Sequence, residues 1–215
     1  EELINDAESK YTRLKQLAGT KGRYIASYQN ISDGLTYVRS VDLSNDANGN
    51  YSSTSVNTAL QVPSSTAYTL FPYVSQNPFD TSKFLVTYMR STTIAHSHSY
   101  DYNAYTRMCE VATDGSISFL AAESQVGATY IYGCNLEFSR ATQNRMISVS
   151  ATSTLSNAWR LRLNVGTLDP ATNLTSWGAT TYGSGSVTGW TGTISVDWSP
   201  SDDRGCLIYQ NTWYE

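Results

Sequence analysis

The sequence predicts an all-β protein, an antiparallel β-barrel or β-sandwich with one N-terminal α-helix. Three observations lead there. "NRMISVSAT" and "AWRLRLNVG" alternate apolar and polar residues with period two, as strands with one buried face do. Charged residues make up only 15% of the 215 positions, so Ser, Thr, Asn, Gln and 16 Tyr must supply the polar surface. Only residues 1–18, "EELINDAESKYTRLKQLA", place apolar side chains at spacings of three and four.

That first segment opens acidic and ends basic, which complements a helix dipole, and Gly19 and Gly22 follow it. The helix is expected over 1–22 and a single all-β domain over 23–215. "RYIASYQ" and "LTYVRSVDL" read as strands joined by a turn at Ser32-Asp33-Gly34. "SNDANGNYSS" reads as an exposed turn. It resembles a calcium loop through Ser44, Asp46, Asn48 and Gly49, but Ser55 stands where a bidentate Glu is required. Pro63, Pro72 and Pro78 predict an irregular, ordered connection before a strand at Phe84–Met89.

"DGSISFLAA" follows a turn at Asp114-Gly115, and Gly133 is placed to bend the strand in "ATYIYGCNLEFS". In "AWRLRLNVG" Trp159, Leu161, Leu163 and Val165 share one face, leaving Arg160, Arg162 and Asn164 on a face read as solvated. Residues 167–193 read as loops around short strands, and "ISVDW" and "CLIYQNTWYE" return to strand. No internal repeat is expected.

Chemical motifs are sparse. His96 and His98, two apart near Asp101, Cys109 and Glu110, lack the spacing of a metal site, so no metal or cofactor is expected. No G-x-S-x-G elbow occurs, "GSGSVTG" lacks the ending of a phosphate loop, and no pair of carboxylates is marked out by spacing. The absence of a basic patch argues against nucleic acid. No apolar run approaches the roughly 20 residues of a membrane helix. Cys109, Cys134 and Cys206 are all expected to be free and largely buried, a single bridged pair being the alternative. The odd cysteine count and missing leader lean against a mature secreted protein, and the chain is expected to be part of a longer polypeptide.

The positive signal is for recognition. Tyr and Trp give large rigid contact area with a polar handle, and rings stack on the C–H faces of sugars. The loops 96–105 and 173–190 carry the candidate ligand-binding residues Tyr100, Tyr102, Tyr105, Trp177, Tyr182 and Trp190.

In its β-rich body, helix-led start and fragments such as "RLRLNVG" and "DDRGCLIYQNTWYE", the chain resembles the projecting capsid spike domains of non-enveloped viruses, astroviruses above all. The resemblance implies a non-enzymatic domain on the virion surface, a homodimer or homotrimer that attaches to a host glycan or protein receptor. A phage fibre or tailspike head, and a cellular or secreted lectin-like or adhesion domain, are the alternatives the same texture fits.

Overall fold

The computed structural model describes residues 8–19, 22–45, 48, 51–63, 67–91, 102–127, 131–153, 159–183, 194–199 and 204–209. Their regular elements are all strands, joined by turns and loops. The first sheet holds β1 (Ser9–Gln16), β2 (Arg23–Asn30), β3 (Thr36–Asn45), β4 (Tyr51–Val56) and β5 (Leu60–Gln61). The second holds β6 (Thr69–Gln76), β7 (Lys83–Ser91), β8 (Tyr102–Val111), β9 (Ile117–Phe119) and β10 (Ser124–Gln125). The third holds β11 (Ile131–Phe138), β12 (Arg145–Ser153), β13 (Trp159–Leu168), β14 (Thr175–Trp177) and β15 (Thr181–Tyr182). A hairpin of β16 (Ile194–Trp198) and β17 (Gly205–Tyr209) follows.

These sheets are copies of one module. Each is an antiparallel meander whose fourth strand is split into two short pieces, both paired to the third strand. First strands begin at residues 9, 69, 131 and 194, so the repeat is 60, 62 and 63 residues long. Six residues join the first strand to the second every time: 17–22, 77–82, 139–144 and 199–204. The outer edge of each sheet is thus a broken strand, a poor template for unwanted pairing.

Consecutive modules pack face to face. β7 is buried on both sides, which is why "KFLVTYM" is nearly continuous in apolar residues. Phe84, Val86 and Tyr88 pack with Leu17, Ile25, Val38 and Val74, between the first two sheets. Leu85 and Met108 turn the other way, onto Leu136, Phe138, Met146 and Leu168 of the third. Beyond it, Ile147, Val149, Ala151 and Leu161 meet Val196 and Trp198. The first strands β1, β6, β11 and β16 neighbour one another along one edge of this stack. Four-stranded meanders in sequence with their first strands gathered together are the blade arrangement of β-propellers.

The structure corrects two expectations. There is no N-terminal α-helix among the described residues: positions 9–16 are strand β1, laddered onto β2 from Ser9↔Asn30 to Gln16↔Tyr24. A bulge at Tyr11-Thr12 inserts one residue, so Lys10 and Arg13, three apart, face the same way, while the apolar residues spaced as in a helix do not share a face in the strand. Leu17 of the expected apolar stripe is in the core at 1% exposure, whereas Leu14 stands 52% exposed. Residues 1–7 lie outside the described residues.

The second correction concerns closure. No barrel closes among the described residues, because each sheet ends at its split fourth strand and the next begins afresh. Smaller revisions follow from packing. The Pro-rich connection contains β6, in which Pro72 sits in a bulge between the pairs Leu70↔Met89 and Tyr73↔Thr87, where the ladder is interrupted. Arg162 and Asn164, expected in solvent, are 3% and 2% exposed, and both donate to the Thr180 hydroxyl. Arg160 is exposed as expected. Cys109 and Cys134 are free and buried.

Candidate functional site

The gathered first strands carry one unusual feature in common. At the third residue of β1, β6 and β11 the chain bulges and the backbone turns left-handed: Tyr11 (φ 54°), Phe71 (φ 50°) and Gly133 (φ 62°). Glycine adopts this region freely, but a residue with a Cβ is strained there by about 1–2 kcal/mol. Two of three modules nevertheless place a large aromatic at the strained position. Their rings meet, with centroids 4.3 Å apart and planes tilted by 49°.

Two more rings join this pair. Tyr68 precedes β6, its backbone carbonyl accepts from Ser91 N–H (2.9 Å), and its ring lies over Gly34. A Cβ on Gly34 would stand 2.2 Å from that ring, so the Asp33-Gly34 turn seats it. Tyr102 opens β8 opposite Ser91. Its phenol is pushed above the ordinary range first by burial and then by Tyr68 and Tyr11. Tyr11 is raised by burial and by Tyr68. Three phenols and one phenyl therefore share one neighbourhood, of which Tyr11 is 38% exposed. Beneath it the buried Gln29 amide donates to the carbonyls of Thr69 and Gly34, and the Thr69 hydroxyl donates to Thr36 (2.9 Å), fixing the two modules together.

Further along the same edge the lining becomes polar. Tyr73 and Ser75 of β6 donate to the carboxylate of Glu137 on β11, at 2.6 and 2.8 Å. The Lys15 ammonium of β1 reaches it at 3.4 Å. The Trp198 indole donates to the Glu137 backbone carbonyl (2.9 Å), so this one residue touches all four sheets. Burial, and then the charge of Glu137, push the Tyr73 phenol well above its ordinary range.

A third aromatic group is internal. The Arg90 guanidinium lies 3.8 Å over the Tyr105 ring and bonds Glu123 at 2.6 Å, while Tyr88 stacks on Tyr105 with centroids 6.1 Å apart. These contacts hold the loop after β9 against the second sheet.

The candidate residues are therefore distributed. Tyr102 belongs to the patch and is half-buried. Tyr105, three residues on, projects from the opposite face of β8 and packs into the core. Trp177 covers Gly166, whose Cβ would come within 2.6 Å of its ring, and donates to Thr175 (3.2 Å). Tyr182 on β15 is 53% exposed. Tyr100 and Trp190 lie outside the described residues, as do His96 and His98. Tyr11, Tyr68 and Phe71 escape the sequence reading. Tyr11 is hidden in the helix-like segment and Phe71 beside Pro72. The signal that marks both is their position, third in strands about one repeat apart.

Among the described residues no three His, Cys, Asp or Glu side chains gather as metal ligands. No protein-family model matches the chain, and no curated protein matches it.

Proposed function

We propose that this chain is a non-enzymatic recognition module that binds a saccharide through Tyr11, Tyr68, Phe71 and Tyr102. The observation that carries this reading is the pair of strained bulges. Gly133 shows that the module accepts a residue without a ring at this place, yet two modules hold rings there against backbone strain. Neutral rings with hydroxyl handles suit the C–H faces and hydroxyl groups of a sugar.

Host attachment from a virion surface, the role implied by the capsid-spike resemblance, is the setting we propose for such a patch. Repetition on a particle, or in a homodimer or homotrimer, would multiply a weak single site. The test is a glycan array read with the wild type and with Tyr11→Gly and Phe71→Gly. Glycine suits the left-handed backbone, so both variants should keep or raise thermal stability while losing glycan binding. Unchanged binding by the folded variants would overturn the reading. Light scattering on the wild type tests the homodimer or homotrimer, which a monomer would refute.

A further inference from the structure

The charges on β1 define which saccharide the patch should prefer. Lys10, Arg13 and Lys15 pair with Gln29, Ser27 and Ile25 of β2, so all three project from one face of β1. Lys15 is committed to Glu137 at 3.4 Å. Lys10 and Arg13 are exposed and make no hydrogen bond or ion pair among the described residues. They bracket the bulge, one immediately before Tyr11 and the other two residues after it. A ring and two uncommitted cations are thus presented together, in a chain whose overall charge is -4.

We infer that the ligand is an acidic saccharide, a sugar ring stacked on Tyr11 and Phe71 whose carboxylate is taken by Arg13 and Lys10. The guanidinium fork of Arg13 matches a carboxylate in two parallel hydrogen bonds, and Lys10 adds a point charge from the other side of the bulge. Arg13 shares its face of β1 with Lys15, whose ion pair with Glu137 turns that face toward β6 and β11. Glu137, the carboxylate that meets this strand, already holds Lys15, Tyr73 and Ser75 and leaves Arg13 to the ligand.

This inference rests on the saccharide reading above, and its test separates the two. The whole chain is applied to an array of acidic glycans printed beside their carboxyl-reduced, neutral counterparts. A charge-assisted contact predicts that the acidic member of each recognised pair binds about tenfold tighter or more. The gap should shrink with added salt and close in Arg13→Gln and Lys10→Gln. Both side chains are exposed, so the variants should melt with the wild type. Equal binding of acidic and neutral partners, or a gap that survives both substitutions, would overturn the inference and leave the saccharide patch standing. Binding to no glycan would overturn both.

Discussion

Replacing Glu137 by Ala removes the acceptor that joins three sheets. The Tyr73 and Ser75 hydroxyls, at 2.6 and 2.8 Å, lose bonds to a charged group, and such bonds contribute about 1.5–3 kcal/mol each. Lys15 is 39% exposed, so its 3.4 Å ion pair adds only about 0–1 kcal/mol. The expected loss is about 3–6 kcal/mol, which for a chain of this size lowers the melting temperature by about 6–24 °C. The Trp198 bond goes to the backbone carbonyl and survives, so the last hairpin is not what the variant disturbs. Urea unfolding of Glu137→Ala, Tyr73→Phe and the double variant closes a thermodynamic cycle. The Tyr73–Glu137 pair should couple by about 1 kcal/mol or more, because its members share one short bond. Coupling below about 0.5 kcal/mol would refute the view that this carboxylate ties the modules together.

Three further outcomes follow from burial and electrostatics. Leu17→Asp should cost at least about 2–5 kcal/mol and unfold the first module, whereas Leu14→Asp should stay within about 0.5 kcal/mol; equal effects in a melt would refute the strand assignment of β1. The Tyr37 phenol is pushed up to about 12 by burial and then by its 2.7 Å bond to Asp33, above an ordinary value of about 10. Its contribution to stability is complete below the unfolded value and lost as pH rises through the folded one, so Tyr37→Phe should remove part of the stability loss between about pH 10 and 12, as unfolding curves across that range would show. Burial raises both Cys109 and Cys134, the latter to about 11, so neither should react with a thiol reagent at neutral pH until the protein unfolds; rapid labelling of native Cys109 would contradict its place in the core.

Strands that alternate apolar and polar residues, such as β12 and β13, were legible in the sequence because alternation is a local property, although both faces of β12 are buried. So was β7, as an apolar run. The repeat was not, because it resides in spacing: "LAGTKG", "NPFDTS", "SRATQN" and "SPSDDR" share a length and a place between strands rather than a sequence. Strand β1 is hidden for a different reason: the apolar spacing of Tyr11, Leu14 and Leu17 fits a helix, yet in the structure Leu14 is exposed and Leu17 is in the core. Charge on β13 was misjudged because its partners come from Gly127 and Thr180, and alternation along a strand does not show what covers its polar face. The aromatic patch has the same origin. Tyr11 and Phe71 are 60 positions apart, and only the register of two modules brings their rings together.

The bulge is a fixed backbone device with a variable occupant: Tyr, Phe and Gly in successive modules. The ladders on either side are made by main-chain groups and do not depend on which side chain stands there. Each module therefore offers one interchangeable site on a common rim, as a keyboard offers separate keys. A lineage that changes its ligand can do so by substitution at 11, 71 and 133, one module at a time, while the pairing that builds the fold stays untouched.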